Sequence, residues 1–171
     1  MRTATTEDFD AVAGLLAELG RPAILGGIDE DEHRRLFAAY LARDAAVALV
    51  AERDGMVVGF CDLEFRQRLH FLTPQAWIPD LIVAEAERSK GAGAALLERA
   101  EQLARDRGCW GMGLESAMWR ERAHAFYERE GWTKGGYAFS RPLGDQPWPP
   151  PPLPGHDDAV EQGSTPTTAN P

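Results

Sequence analysis

The chain has 171 residues and a formal net charge of −9, and 44% of its residues are hydrophobic. This length and hydrophobic content are those of one globular domain with a substantial core. The negative charge argues against nucleic acid as the main partner, because phosphate-binding surfaces need an excess of basic side chains. No run of about 18 apolar residues occurs, so no membrane-spanning helix is expected.

The N-terminus and the two cysteines bear on location and metal binding. Residues 1–10 lack an apolar signal core and contain acids, which predicts a cytoplasmic protein. Cys61 and Cys109 are too few for a disulfide framework, and no Cys/His cluster has zinc-like spacing. We therefore expect no metal, and a buried structural thiol is favoured over a nucleophile at Cys109.

The first half of the chain predicts a sheet covered by helices. A short strand over residues 2–5 precedes a helix that Thr5 caps, and apolar side chains at helical spacing predict a second helix over residues 30–43. Strands are predicted over residues 46–52 and 56–66, joined by a hairpin turn at Asp54-Gly55. Both alternating faces of the second strand are partly apolar, as expected where helices lie on either side.

Residues 75–108 predict a strand, a basic glycine turn and a long amphipathic helix. The strand covers residues 75–83, where Pro79 cannot donate a ladder hydrogen bond, so a bulge or a splayed strand is expected. Gly108 is placed to end the helix. The first turn of a helix attracts phosphate through its unpaired N–H groups, and glycines let a ligand approach closely. A solvated strand-to-helix loop is the alternative, since one glycine turn is a weak signal.

Two motifs make the signal more specific. The string R-x-x-G-x-G over residues 88–93 resembles the phosphate loop of the GNAT family of acyl-CoA-dependent N-acyltransferases, whose motif A reads R/Q-x-x-G-x-G/A. Leu81-x-Val83 before it fits the fourth strand of that family. Residues 123–132, AHAFYEREGW, resemble motif B, commonly A-x-x-F-Y-x-x-x-G-F. The resemblance is strong over residues 78–132 and weaker over the rest of residues 1–143.

The resemblance implies a mixed α/β fold, with a splayed central sheet of roughly six to seven strands flanked by about four helices. One acetyltransferase domain would cover residues 1–143. Its last elements are predicted as a strand over residues 109–117, a helix over 119–130 and one or two closing strands over 132–142. Residues 144–171 form a proline-rich tail that is predicted to be disordered. A proline ligand for SH3-like partners is the alternative for this tail.

The family binds acetyl-CoA, and the resemblance assigns this cofactor to two segments. Backbone N–H groups of the loop would hold the diphosphate of coenzyme A, and the strand before it would pair with the pantetheine arm in a slot opened by splaying of the fourth and fifth strands. A backbone amide of that strand would polarise the thioester carbonyl. The cofactor-binding residues implied are Leu81, Ile82, Val83, Arg88, Ser89, Lys90, Gly91, Ala92, Gly93 and Ala94.

Acyl transfer from a thioester to an amine needs a proton acceptor, an oxyanion donor and, optionally, an acid for the thiolate. No covalent intermediate is required when both substrates are held together. Tyr127 matches the family's usual general acid, with packing against the sheet as its alternative role. Asp80 and Glu115 are the candidate bases, although each could instead hold the acceptor ammonium or be solvated. Asp62 and Glu64 are weaker candidates for acceptor contacts.

The predicted activity is direct transfer of an acetyl group from acetyl-CoA to a primary amine of a small molecule. A protein or peptide acceptor is the first alternative, and an idle acyl-CoA-binding regulatory module is the second. Arg120 departs from the family pattern, which commonly has Asn three residues before the motif B alanine, and this change puts one familiar cofactor contact in doubt. Neither a nucleic acid nor a membrane is expected as partner, and the sequence leaves a homodimer open.

Overall fold

A computed structural model describes residues 1–139, 141 and 143 of the chain. Within these residues the strands are β1 (Arg2–Thr3), β2 (Ala46–Arg53), β3 (Met56–Arg66), β4 (Gln75–Ile78), β5 (Leu81–Val83) and β6 (Gly111–Leu114). The α-helices are α1 (Phe9–Glu18), α2 (Glu30–Leu41), α3 (Ala92–Asp106) and α4 (Glu121–Arg129). Short 3-10 helices precede α1 at Thr6–Asp8 and follow β5 at Glu85–Glu87.

The strands form one mixed sheet between two layers of helices. Strands β1 to β4 pair antiparallel in chain order, and β6 lies parallel to β4. Strand β5 pairs with the other end of the long strand β3. Helices α1 and α2 pack on one face, and α3 and α4 pack on the other. In the part of the chain that is described, these six strands and four helices confirm the predicted fold class.

Each face of the sheet has its own apolar core. The larger core lies under α3, whose buried residues recur at helical spacing: Ala92, Leu96, Leu97, Ala100 and Ala104. On the opposite face, Val12 and Leu15 of α1 pack against Val50, Phe60 and Ile82. Burial of each large aliphatic side chain stabilises the fold by roughly 1.5–3 kcal/mol. The two cores hold α1 and α3 against opposite faces of β3.

The start of α1 is fixed by a buried carboxylate. The Arg2 guanidinium donates from Nη1 and Nη2 to the two oxygens of Asp8, each at 2.7 Å, and the Thr5 N–H donates to Asp8 Oδ2 at 2.7 Å. The bonds from Arg2 are the main cause that lowers the pKa of Asp8 to about 2. This junction ties the N-terminal end of α1 to β1.

The predicted irregularity at Pro79 is confirmed as a bulge in the sheet. Below it, Glu64 of β3 is opposite Trp77, and above it Cys61 is opposite Leu81. Two residues of β3 between these pairs therefore face three residues, 78–80, of the neighbouring chain. The parallel pairing of β4 with β6 ends at Ile78 and Leu114, and β5 has no partner on that side among the described residues. The sheet opens at this point.

The last predicted elements need correction. Strand β6 is shorter than the predicted strand over residues 109–117, and the closing strands predicted over 132–142 are wrong for the described residues 132–139, which contain no strand. Tyr137 and Phe139 are 86% and 95% exposed, so they have no sheet face to pack on, and Gly135-Gly136 disfavours extended pairing. Pro142 and the predicted tail 144–171 lie outside the described residues.

The described helices also bear on membrane insertion. None of the helices in the described part of the chain combines the length and apolar character that crossing a bilayer requires.

Candidate active site

The loop between β5 and α3 has the backbone geometry of an anion-binding turn. Ser89 has φ 62° and Gly91 has φ 89°, and α3 begins at Ala92 with Gly91 as its N-cap. Arg53 of β2 holds the loop from behind, because its Nη2 donates to the Lys90 carbonyl at 3.2 Å and its Nη1 forms an ion pair with Glu87. The turn is therefore fixed to the sheet without side chains of its own filling it.

The N–H groups of residues 89–94 make no hydrogen bond with any described residue. They include the first turn of α3, where the helix dipole adds partial positive charge. A Cβ added at Gly91 would meet no heavy atom within 4 Å, so open space lies beside the turn. A Cβ added at Gly93 would instead be in van der Waals contact with the Phe126 and Val83 side chains, which close the inner side. The loop thus fits an oxyanion approaching from the open side.

The two basic side chains of the loop have different surroundings. Lys90 Nζ pairs with Glu87 Oε1 at 3.0 Å, so part of its charge is neutralised. Arg88 Nε donates to the Val83 carbonyl at 3.2 Å, and the guanidinium has no carboxylate partner among the described residues. Arg88 is therefore the stronger of the two cationic contributions at this turn.

The open edge of β5 carries backbone groups for an extended ligand. The Asp62 N–H donates to the Asp80 carbonyl at 3.2 Å and the Ala84 N–H donates to the Val58 carbonyl at 2.9 Å. In an antiparallel pair, alternate residues face the partner strand, so Ile82 faces β3 while Leu81 and Val83 direct their N–H and C=O groups into the gap. Leu81 and Val83 therefore offer the gap a strand edge, whereas Ile82 is buried under α1.

Tyr127 of α4 lies beside this gap. It packs on the α3 side of the sheet, with its ring 5.2 Å from that of Phe126 and 6.0 Å from that of Trp132. Its hydroxyl makes no hydrogen bond with a described residue. Burial, followed by the neighbouring Cys61 thiol, raises the pKa of Tyr127 to about 12. The phenol is therefore protonated at neutral pH and can act as a donor.

Asp80 lies in the bulge and faces the α1 side. Arg21, which follows α1, donates from Nε and Nη2 to Asp80 Oδ1 at 2.9 and 2.5 Å. The second oxygen, Oδ2, has no partner among the described residues, and the side chain is 18% exposed. Leu81 packs on the opposite, α3 side, as strand alternation predicts. Asp80 and Tyr127 approach the gap from opposite faces of the sheet.

Asp62 of β3, a weaker candidate for acceptor contacts by sequence, is a second carboxyl at the bulge. It is 8% exposed, and its Oδ1 accepts a hydrogen bond from the Asp80 N–H at 2.8 Å. Burial, followed by the charge of Asp80, raises the pKa of Asp62 to about 7. A carboxyl whose pKa lies near neutral pH is suited to accept and release protons. Burial creates this property, and strand alternation alone does not reveal it.

Glu115 is placed differently from the other candidate base. It follows Leu114, the last residue of β6 that pairs with β4, so its backbone stands across the gap from Pro79. The side chain is exposed and makes no ion pair with a described residue. The neighbouring Ser116 hydroxyl is buried and has no hydrogen-bond partner among the described residues. A polar group at this strand end is therefore unsatisfied.

Arg120 precedes α4 and is half-buried where the start of α4 meets the end of α1. Its Nη2 donates to the carbonyl of Leu19, at the end of α1, at 2.5 Å. Burial and, after it, the charge of Arg21 lower the pKa of Arg120, while Tyr127 and Asp80 act in the opposite direction. The charged and titratable groups that act on Arg120 are Arg21, Tyr127, Asp80 and Arg88, so these side chains are its neighbours, and no sequence motif indicated this grouping.

A groove of about 500 Å³ borders the loop where α3 begins. Its lining residues are Gly91, Ala94, Ala95, Leu97, Glu98, Glu101 and Glu130. Three carboxylates make the far part of this groove unsuitable for a diphosphate.

The described residues contain no group of three or more His, Cys, Asp or Glu side chains that could hold a metal ion.

Comparison with known proteins agrees with the geometry of the loop and the gap. Residues 15–132 match the model of the Acetyltransferase (GNAT) family. The chain belongs to the GNAT family. That family takes its acetyl group from acetyl-CoA, and this GNAT chain is an acetyl-CoA-dependent N-acetyltransferase.

Relatives and solved structures cover most of the GNAT domain. Aminoalkylphosphonate N-acetyltransferase of Salmonella typhimurium is 34% identical over 143 residues, which are 84% of this chain and 90% of the relative. Aminoglycoside N(6')-acetyltransferase type 1 of Klebsiella aerogenes is 28% identical over 120 residues, 66% of this chain and 79% of that protein. An acetyltransferase structure from Agrobacterium tumefaciens superposes with a TM-score of 0.74 at 26% identity, covering 82% of this chain and 97% of that one.

The phosphate loop yields a first prediction. Gly91→Glu should abolish acetyl-CoA binding measured by calorimetry, because the new carboxylate would stand beside the free N–H groups. The matched control is Gly108→Glu at the other end of α3, where φ is 68° and a Cβ also meets no neighbour. Both variants strain the backbone alike, so only Gly91→Glu should lose the ligand. Equal binding by the two variants would contradict the assignment of the loop.

Asp62 yields a second prediction, on stability against pH. Its pKa rises from 3.8 to about 7 on folding, so between these values the native state holds more protons than the unfolded chain. The free energy of unfolding therefore falls as pH rises through this window, by on the order of 4 kcal/mol from this group. Asp62→Asn keeps an acceptor for the Asp80 N–H and should remove that slope in urea titrations.

The matched control for Asp62 is Asp44→Asn, an exposed carboxyl before β2. Its profile should follow that of the wild type. A slope in Asp62→Asn as steep as that of the wild type would show that Asp62 ionises freely in the folded protein.

Proposed function

We propose that the protein transfers an acetyl group from acetyl-CoA to the primary amine of a small molecule, by direct transfer in a ternary complex. The observation that carries this proposal is the gap between β5 and the end of β6, which opens beside a turn with unpaired N–H groups. The gap would therefore provide a path from the anion-binding turn to Tyr127 on the α3 side and to Asp80 on the α1 side.

The donor would occupy that path from the loop inward. The N–H groups of residues 89–94, with Arg88 beside them, would hold the diphosphate. The backbone edges of Leu81 and Val83 would hydrogen-bond to the pantetheine amides, with the Val83 carbonyl already accepting one bond from Arg88, and the Leu81 N–H would polarise the thioester carbonyl. Gly91 leaves the approach open. Bound acetyl-CoA supplies the activated acetyl group, and these residues orient it.

The acceptor would enter from the α1 side, where both buried carboxyls lie. The amine must lose a proton as its nitrogen forms a bond to the carbonyl carbon and the C–S bond breaks. Asp80, through Oδ2, which has no partner among the described residues, would take that proton, and Asp62, whose pKa of about 7 suits a proton acceptor, is the alternative at the same bulge. Glu115 is the second candidate for this role, at the exposed end of β6.

Tyr127 would act on the leaving thiolate from the α3 side. A phenol with a pKa of about 12 is a weaker acid than an ordinary thiol, whose pKa is about 8.5. Complete proton transfer from Tyr127 to the thiolate is therefore uphill, and its role would be to donate a hydrogen bond as charge develops on sulfur. Solvent would then supply the proton.

The relatives support a small-molecule acceptor over a peptide. One relative is named for aminoalkylphosphonates and another for aminoglycosides, both of which are small amines. The test is an assay of released free thiol with a panel that contains aminoalkylphosphonates, aminoglycosides and peptides with free N-termini or lysine side chains. We expect turnover with small amines at low concentrations of the amine. Turnover confined to peptides would overturn this choice of acceptor.

Tyr127→Phe tests the contribution of the Tyr127 phenol to catalysis. This variant keeps the ring but removes the donor, so kcat should fall roughly 10- to 100-fold, the range for a hydrogen bond to a charged group. The Kd for acetyl-CoA should stay within about twofold. Tyr137→Phe, at an exposed tyrosine, is the control and should keep full turnover. Unchanged kcat in Tyr127→Phe would remove this residue from the mechanism.

A further inference from the structure

The junction between α1, the bulge and α4 carries more positive than negative charge. Arg21 and Arg120 both reach it, and Asp80 is the carboxylate that pairs with Arg21. Arg120 forms no ion pair with a described residue, although it is half-buried and its pKa is lowered by burial. A buried cation without a counter-ion is costly, which favours a ligand that supplies the missing negative charge.

The bonding of Arg120 leaves most of its donors available. A guanidinium has five N–H donors in a planar fork, and the Leu19 carbonyl takes a hydrogen bond from Nη2 alone. That bond fixes the orientation of the fork without neutralising it. Arg21 likewise bonds through Nε and Nη2, while its Nη1 has no described partner, and its side chain is 39% exposed. Two oriented guanidinium groups with spare donors suit bidentate binding of an oxyanion.

The hydrogen bonds of these two arginines lie on the α1 side of the sheet, although Arg88 is near enough to Arg120 to help lower its pKa. Arg88 and the first turn of α3 lie at the loop and already provide an anion site there. Arg120 instead extends to the end of α1, and Arg21 bonds to Asp80 on the α1 face of the sheet. This is the face on which Asp62 and Asp80 would receive the acceptor amine. An anion held by Arg120 and Arg21 together would therefore belong to the acceptor.

We propose that Arg120, together with Arg21, forms an oxyanion subsite that binds the acidic group of the acceptor. The acceptor would then be a short zwitterion, with its amine at the carboxyls of the bulge and its phosphonate or carboxylate at the two arginines. This proposal rests on the proposed function and adds the charge pattern of the substrate. Arg120 would be a specificity-determining residue that contacts substrate away from the reacting atoms.

The experiment compares three acceptors of equal chain length: aminoethylphosphonate, β-alanine and propylamine, which end in a phosphonate, a carboxylate and a methyl group. We expect wild-type kcat/KM to be highest for one of the two acids. Arg120→Gln should lower kcat/KM for that acid roughly 10- to 100-fold, mainly through KM, because a hydrogen bond to a charge is lost. Propylamine should change less than about threefold, and the KM for acetyl-CoA should be unchanged.

Two further variants control for folding and general charge. Arg120→Lys keeps the charge but loses the fork, so it should recover part of the affinity for the acid. Arg122→Gln removes an exposed arginine of α4 two residues away and should behave as the wild type with every acceptor. Equal losses with all three acceptors in Arg120→Gln would show a structural or general catalytic role and overturn the subsite. A raised KM for acetyl-CoA would assign Arg120 to the donor and overturn it too.

Binding measurements separate this proposal from the proposed function. Calorimetry with aminoethylphosphonate and β-alanine, at saturating coenzyme A, should show binding to the wild type and at least tenfold weaker binding to Arg120→Gln. Absence of turnover with the whole amine panel would refute the proposed function, whereas Arg120-dependent binding would still support the subsite. Turnover of propylamine as efficient as that of both acids would refute the subsite while leaving the acetyltransferase function intact.

Discussion

The site depends on the interruption of the sheet ladder at Pro79. Proline has no N–H to donate, and three residues of its chain stand opposite two of β3. The Asp62 carboxylate accepts the Asp80 N–H and the Asp80 carbonyl accepts the Asp62 N–H, so the bulge is held by hydrogen bonds on both sides. Below this point β4 pairs with β6, and above it the edge of β5 is left for a ligand.

In the proposed mechanism this interruption would place donor and acceptor on opposite faces of the sheet. Because successive side chains point to opposite faces of the sheet, Leu81 lies on the α3 side and the Asp80 side chain lies on the α1 side. The thioester would therefore meet Tyr127 and the amine would meet the carboxyls, with the carbonyl carbon in the gap between them. Proximity of this kind supplies much of the rate in a direct transfer, so the fold needs no nucleophilic side chain.

The charges around the gap are arranged by neighbours that are distant in the sequence. Arg21 neutralises Asp80, burial holds the pKa of Asp62 near 7, and Arg120 is hydrogen-bonded to the end of α1. The protein as a whole is acidic, yet two cationic regions lie at this gap, one at the phosphate loop and one at Arg120. Each faces a place where an anionic part of a substrate would bind. The charge at these two regions is therefore a better guide to the substrate than the net charge of the protein.

The sequence by itself determined the phosphate loop, the long helix α3, the hairpin of β2 and β3 and the irregularity at Pro79. These features rest on residues that are near in the chain, such as Gly91 and Gly108 at the two ends of one helix. The tertiary structure decided the short β6, the absence of a strand over residues 132–139, the buried state of Asp62 and the convergence of Arg120 with Arg21. Burial, and contacts between charged residues that are distant in the sequence, depend on which surfaces pack together. No local pattern in a single sequence indicates this packing.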